Sequence, residues 1–201
     1  TSEVSPVPPD RLHRTIKGMR LFAAIDPPAA DREWLLAWLT AAHLEATDLR
    51  LTPSDLWHVT LAFYGEVPGA NLAELTERLQ RAAQRSEALT IQLRGVGSFP
   101  RDPARANVLW VGVDGDLPQL TRLADRCVAA GRRTGLNVDA RKYDPHVTIG
   151  RPRHGPVDLR PALENLPPYT GEPWLATTLR LVRSHLGAQI RHETLEEIPL
   201  D

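Results

Sequence analysis

The stretches His58-Val59-Thr60-Leu61 and His146-Val147-Thr148-Ile149 are nearly the same, and they lie 88 positions apart (146 minus 58) in a chain of 201 residues. Each reads His-Val-Thr followed by a branched aliphatic residue. Because a β-strand turns alternate side chains to opposite faces, each stretch would present its His and Thr together and bury the aliphatic residues behind them. Two such pairs brought together would offer two imidazoles and two hydroxyl donors, a combination suited to an anionic tetrahedral group.

The pattern of apolar residues around the motifs predicts helices and strands. Apolar residues spaced by three and four positions indicate helices, whereas short alternating or continuous apolar runs indicate strands. The proline-rich segment 152–173 is expected to be loop with one short helical turn. The predicted helices cover 29–44, 71–82 and 116–133, and the predicted strands cover 20–25, 56–64, 89–93, 108–111, 146–151, 178–182 and 190–195.

Particular side chains add expectations about the helices. Asp26, Asn71 and Asp116 each stand shortly before a predicted helix, where a side-chain oxygen can cap free backbone N–H groups. Trp34 and Trp38 fall at the helical spacing of the apolar residues in the first helix. Both tryptophans are therefore expected to face the core.

The repetition of the motif predicts the architecture. Each motif strand follows a helix, and the simplest arrangement is an α+β protein of two lobes, each combining antiparallel sheet with helices. We expect a pseudo-twofold relation between the lobes to place the motifs opposite each other across a central cleft. No low-complexity linker divides the middle, so a proline-rich tail over residues 1–18 and a single bilobal domain over residues 19–201 are expected.

Composition limits the classes of protein and partner. The chain is 42% hydrophobic, and 24 basic against 25 acidic residues give a net charge of −1, which argues against a protein that coats long nucleic-acid duplexes. The single cysteine, Cys127, excludes an internal disulfide and fits a reducing compartment. No apolar run reaches membrane-spanning length. We therefore expect a cytoplasmic monomer with no membrane association, in which Cys127 serves as a small core hydrophobe.

Two histidines in one groove can divide acid and base work. One neutral imidazole removes a proton while the other, protonated, delivers one to a leaving oxygen. Phosphodiester chemistry needs both operations, together with donors to the non-bridging oxygens, and Thr60 and Thr148 are placed to donate. Each His-Thr pair alone would most often be structural, but its repetition in strand context favours a site. No metal and no other cofactor is expected.

These residues carry a resemblance to the 2H phosphoesterase superfamily and, within it, to the LigT-like RNA 2′,3′-cyclic phosphodiesterases, also called 2′-5′ RNA ligases. The likeness extends from Met19 to Leu200, and the paired His-x-Thr-x motifs are its most specific part. The stretches that carry it are Met19 to Ile25, His58 to Gly65, Val108 to Val113, Pro145 to Arg151 and Leu181 to Ser184.

The resemblance implies hydrolysis of a 2′,3′-cyclic phosphate on RNA or a nucleotide to a 2′-phosphomonoester, and reversal of the same chemistry would give a 2′-5′ linkage. It implies that His58 is the general acid and His146 the general base, with Thr60 and Thr148 holding the phosphate oxygens. The final strand has His192 where the family leads us to expect an aromatic residue, and His192 is expected to face solvent. Further candidates for phosphate neutralisation and base stacking are Arg151, Arg20, Phe63 and Tyr143.

Two alternatives stay open at this point. Other 2H proteins act on cyclic ADP-ribose phosphates, 2′-5′ oligoadenylates or RNA tails, and a substrate panel would separate these from a cyclic phosphodiesterase. The chain could instead be a non-catalytic module that binds RNA ends, in which case a cyclic nucleotide would bind without turnover. The presence of both complete motifs favours an enzyme.

Overall fold

The computed structural model describes residues 18–42, 44, 48–139 and 142–201. The predicted tail over residues 1–18 lies outside the described residues except for Gly18. Within the described ranges the chain forms nine β-strands and four α-helices. The strands are β1 Met19–Ile25, β2 Leu49–Leu51, β3 Val59–Val67, β4 Leu89–Phe99, β5 Val108–Gly115, β6 His146–Pro152, β7 Trp174–Ala176, β8 Thr178–His185 and β9 Arg191–Pro199; the helices are α1 Ala29–Ala41, α2 Leu72–Ala83, α3 Leu117–Arg133 and α4 Arg160–Asn165.

Every predicted helix and strand is present, and α4 is the short helical turn expected in the proline-rich segment. Strands β2 and β7 were not predicted. Each has only three residues, too few to show an alternating pattern in the sequence.

All nine strands belong to one antiparallel sheet with the order β7-β4-β5-β6-β3-β1-β8-β9, and β2 pairs with β6. The half that contains β3, β1, β8 and β9 joins the half that contains β6, β5, β4 and β7 through a single residue pair, Val59 opposite Val147. The predicted α+β class is thus confirmed. The two halves interleave along the chain, because β4 pairs with β5 whereas β8 returns to pair with β1.

The hydrophobic core lies on the sheet face that carries α2 and α3. Helix α3 packs against β3, and the hydroxyl of Tyr64 on β3 donates to the Cys127 carbonyl at 3.1 Å. Cys127 is fully buried, and burial raises the pKa of its thiol to about 12. The expectation that Cys127 is a small core hydrophobe is therefore confirmed.

The expected caps are wrong. None of the three polar side chains accepts a hydrogen bond from a backbone N–H of its predicted helix. Asp26 instead pairs with arginines, the Asn71 amide donates to the Thr134 carbonyl at 2.9 Å, and Asp116 accepts from the backbone N–H of Thr90 at 2.8 Å. Each polar group binds a neighbouring element and so fixes tertiary contacts.

Of the two tryptophans in α1, Trp38 packs partly buried against the core, whereas Trp34 is 69% exposed. The expectation for Trp34 is wrong because the buried face of α1 runs along Leu35 and Leu39, one residue further around the helix. Helical spacing of apolar residues predicted the helix correctly but not the edge of its buried face.

Candidate active site

The two His-Val-Thr motifs meet where the halves of the sheet join. Val59 of β3 lies directly opposite Val147 of β6 in antiparallel register, and both valines are fully buried. Strand alternation therefore places the histidines and threonines of both motifs together on the opposite face. Extending the register by one residue in either direction brings each histidine against the threonine of the other motif.

Each motif also contains a β-bulge at the same position. On β3, the residues on either side of Leu61 pair with consecutive residues of β1, and on β6 the residues on either side of Ile149 pair with consecutive residues of β5. The extra residue at a bulge shifts the alternation of side chains between the two sheet faces by one position, so that a later side chain points to the other face. Phe63 and Arg151, three positions after the threonines, are consequently returned to the face of the histidines.

The hydrogen bonds of the two histidines are matched. The Nδ1 of His58 lies 2.7 Å from the carbonyl oxygen of Leu56, and the Nδ1 of His146 lies 2.7 Å from that of Asp144. A carbonyl oxygen only accepts, so Nδ1 carries the proton in both rings. This leaves Nε2 in each imidazole as the nitrogen that can take up or release a proton.

Aromatic rings surround His58. The Phe22 ring lies 4.6 Å from His58, centroid to centroid, and His192 on β9 lies 5.2 Å from His58 and 5.0 Å from Phe22. His192 is half-buried in this cluster, so the expectation that it faces solvent is wrong. One signal could have predicted this contact: the family resemblance implies an aromatic residue at the position that His192 occupies in the final strand.

Burial of His58 lowers the pKa of its imidazole from 6.5 to about 4. The hydrogen bond to Leu56 opposes this shift, while the positive charges of His192, His146 and Arg32 add to it. Burial likewise lowers the pKa of His192, with Asp55 opposing and Arg180 adding to the effect. In the free protein, His58 is therefore neutral at neutral pH.

His146 has its own aromatic surroundings, from β4 and β5. The Phe99 ring lies 4.9 Å from His146 in an edge-to-face arrangement, and the Trp110 ring lies 6.3 Å away. Burial lowers the pKa of His146, the hydrogen bond to Asp144 and its charge oppose the shift, and the charge of Arg151 adds to it. Both motif histidines are thus desolvated bases of reduced pKa.

The Trp110 indole lies directly over Gly97, and this position tests how the site is supported. A Cβ at Gly97 would lie 2.4 Å from two indole carbons. We expect Gly97→Ala to displace the ring and lower the free energy of unfolding by about 1–3 kcal/mol, as measured by denaturant titration. The matched change Gly187→Ala, where the nearest atom would be 3.8 Å away, should be close to neutral; equal stability of the two variants would contradict this packing.

The motif threonines are free to donate. Among the described residues, neither the Thr60 nor the Thr148 hydroxyl has a hydrogen-bond partner. The main-chain carbonyl of Thr60 accepts a hydrogen bond from the Tyr143 hydroxyl at 3.1 Å, and burial raises the pKa of that phenol. Tyr143 therefore ties the segment before β6 to the first motif.

Arg20 and Phe63 form a neighbouring pair on the same face. The Arg20 guanidinium carbon lies 4.6 Å from the centre of the Phe63 ring, which is 44% exposed. Phe63 lies opposite Phe22 in the register of β1 and β3, so it shares the face of the Phe22–His58 cluster. The structure thus brings seven of the eight predicted site residues to the join between the halves or to the same face, whereas Tyr143 packs against the hydrophobic core and contacts the first motif through its hydroxyl.

The chain is similar to known proteins both in sequence and in fold. The 2′-5′ RNA ligase superfamily matches residues 8–188. A protein of Escherichia coli K12 named RNA 2′,3′-cyclic phosphodiesterase is 32% identical over 142 residues, 71% of this chain and 77% of that protein. One of the same name from Aeropyrum pernix is 39% identical over 103 residues, 51% of this chain.

The alignments differ in how much of each relative they include. The chain spans about half of the length of the Aeropyrum protein, 57%, and 45% of a Geobacillus stearothermophilus relative.

The crystal structure of E. coli LigT complexed with 3′-AMP superimposes with a TM-score of 0.77 at 27% identity, covering 92% of this chain and 99% of LigT. None of the helices among the described residues is long and apolar enough to span a lipid bilayer. The chain belongs to the 2′-5′ RNA ligase superfamily.

Proposed function

We propose that this protein hydrolyses a 2′,3′-cyclic phosphate at an RNA end to a 2′-phosphomonoester by two-histidine acid/base catalysis. The observation that carries the proposal is the Val59–Val147 pair, which gathers both His-Thr pairs on one sheet face with both Nε2 atoms available. Relatives named RNA 2′,3′-cyclic phosphodiesterase support the reaction class. Other substrates of the 2H type are outcomes of the test below.

In the proposed reaction, the cyclic phosphate lies between the two imidazoles. Nε2 of His146 takes a proton from water as the water oxygen bonds to phosphorus. The bond from phosphorus to the 3′ oxygen breaks, and Nε2–H of His58 supplies the proton that this oxygen needs. The Thr60 and Thr148 hydroxyls donate to the non-bridging oxygens, where negative charge develops. Solvent then restores the proton positions on the two histidines.

This division of roles requires a proton on His58, whose pKa of about 4 leaves it neutral in the free protein. An anionic phosphate beside the ring would favour its charged form. We propose that His58 takes up a proton as the substrate binds. The pKa values of the free protein give no support to His58 as the acid, so that assignment follows the family resemblance.

The reaction itself is tested with an oligoribonucleotide that ends in a 2′,3′-cyclic phosphate, with EDTA present. We expect a 2′-phosphomonoester, identified by phosphorus NMR. A 3′-phosphate product would contradict the assigned leaving oxygen, and binding without turnover at any pH would favour a binding module.

A modified leaving group separates the acid from the base. When sulfur replaces the 3′ bridging oxygen, the leaving group departs as a thiolate and needs no proton. We expect His58→Asn to regain activity on this substrate to within about tenfold of the wild type, since only the acid step, worth about 10²–10⁴-fold, is bypassed. His146→Asn should stay impaired. Rescue of His146→Asn alone would reverse the two roles.

A further inference from the structure

A groove between α2 and α3 lies away from the His-Val-Thr motifs, because both helices cover the core face of the sheet and the motif histidines lie on its other face. The groove has a volume of about 350 Å³, which is at the lower end of the range for small-molecule sites. We call it the α2–α3 groove. Five arginines line it, three along α2 and just beyond its end and two along α3: Arg78, Arg81, Arg85, Arg126 and Arg133.

The α2–α3 groove carries an excess of positive charge, although the whole chain has a net charge of −1. Among the residues that line it, all of them in the described ranges, Asp125 is the one carboxylate. Arg78 pairs with Glu74, and Arg81 pairs with Glu77. Both are surface pairs one helical turn apart, which are weak. A cleft lined mainly by one sign of charge concentrates ligands of the opposite sign.

The other three arginines of the groove have no carboxylate partner within the part of the chain that the structure describes. Arg85 and Arg133 form no side-chain hydrogen bond or salt bridge there. A guanidinium nitrogen of Arg126 donates to the hydroxyl of the buried Ser86 at 2.7 Å, and that hydroxyl donates to the Ala82 carbonyl at 2.8 Å. Arg126 is thus held at the groove and needs little ordering to bind an anion.

Small side chains form the floor of the groove. Ala82 and Ala130 are buried, and Ala129 is half-buried; all three line the groove. Because a methyl group fills little of the space between two helices, a ligand can lie between the arginines of α2 and those of α3. Guanidinium groups can then donate to it from both sides.

The arginines are spread along the groove. Arg126 contacts Ser86, just beyond the end of α2. At the other end of the groove, the Thr134 carbonyl accepts from Asn71, just before α2 begins, so the two helices run antiparallel. Arg126 and Arg133 are seven residues apart on α3, which is about 10 Å at 1.5 Å per residue. One phosphate can therefore contact arginines at one end only, whereas linked phosphates can contact both ends.

We propose that the α2–α3 groove binds a small ligand that carries two or more linked phosphates, such as inorganic triphosphate or the phosphate chain of a nucleoside triphosphate. The guanidinium group suits this ligand because its planar fork of N–H donors matches phosphate oxygens. The limited volume favours a small molecule over an RNA strand, whose phosphates are a nucleotide apart and would extend beyond the groove. This site is independent of the proposed hydrolysis.

The test is a titration of the full chain, labelled with ¹⁵N, with inorganic triphosphate and separately with orthophosphate, both in EDTA. We expect the backbone amide signals of Ala82, Ala129 and Ala130 to shift. The Kd from these signals should be at least about tenfold lower for triphosphate, because its further phosphates add charged contacts. Signals of the motif residues report any binding at the other face of the sheet separately.

Substitutions separate a built site from diffuse attraction between charges. Arg85→Gln and Arg133→Gln should each raise the Kd for triphosphate about tenfold, as loss of one charged contact implies. Arg122→Gln removes an exposed arginine of α3 that does not line the groove, and it should leave the Kd unchanged. Ala129→Leu keeps every charge but fills the floor, and it should also raise the Kd at least about tenfold. Melting temperatures check that the variants are folded.

Two further ligands identify what the groove recognises. A nucleoside triphosphate that binds as tightly as inorganic triphosphate would show that the phosphate chain alone is recognised, and tighter binding would add the nucleoside; both results support the proposal. Tighter binding of a single-stranded oligoribonucleotide to the same signals would overturn it in favour of an RNA surface. Shifts confined to the motif residues, or a Kd that changes equally in Arg133→Gln and Arg122→Gln, would also overturn it.

Discussion

His146→Asn and His58→Asn are each expected to lower kcat for a cyclic-phosphate substrate by about 10²–10⁴-fold, the usual contribution of a general acid or base. Asparagine keeps a short side chain with an N–H donor, so it can still reach the carbonyl of Asp144 or Leu56 that each Nδ1 now contacts. It lacks Nε2. The loss should therefore report proton transfer at that atom and not collapse of the strand.

The controls for these variants are available in the chain. His154→Asn removes an imidazole that is 81% exposed and pairs with Asp48, and it should retain wild-type kcat. Circular dichroism should show that both site variants remain folded. Because the two histidines would act as a unit, the double variant should lose little more activity than the more impaired single variant. Full activity in either single variant would refute the mechanism.

The placement of the motif histidines and threonines on one face could be predicted from the sequence because strand alternation is a local rule. Val59 and Val147 had to be buried if the histidines and threonines were to share a face, and both are fully buried. The recurrence of one tetrapeptide implied that two strands contribute to one site. Those strands prove to be direct neighbours, a relation set by pairing across 88 positions and absent from either local pattern.

Features that depend on register could not be predicted in the same way. The bulges at Leu61 and Ile149 exist only relative to the partner strands, yet they decide that Phe63 and Arg151 face the site. The position of His192 against His58 depends on β9 pairing with β8 and β8 pairing with β1. The three-residue strand that carries Arg50 was too short to be recognised.

The second large effect concerns stability at acid pH. The pKa of His58 is about 4 in the folded protein against an ordinary value of 6.5, so between these values the unfolded chain binds a proton that the folded chain does not. Stability linked to His58 is therefore complete above pH 6.5 and declines as the pH falls. By about pH 4 the loss should reach about 3 kcal/mol, from 1.36 kcal/mol per pKa unit. Below that pH the folded protein also takes up the proton, and the loss levels off.

His58→Asn removes this linkage, so its free energy of unfolding should fall by about 3 kcal/mol less than that of the wild type between pH 7 and pH 4. Urea titrations of both proteins at each pH measure the difference, and the quantity compared is the change with pH because the substitution also shifts stability at neutral pH. The groups whose charges act on His58 are His146, His192 and Arg32. His146 and His192 remain in the variant. The loss of stability that their own protonation causes at acid pH is therefore common to the wild-type and variant curves of unfolding free energy against pH. Parallel curves would mean that His58 titrates near its ordinary pKa in the folded protein. With a pKa near neutral pH, His58 would already be partly protonated in the free protein and would not need to take up a proton when the substrate binds. The proposed coupling between protonation of His58 and binding of the phosphate would then be refuted.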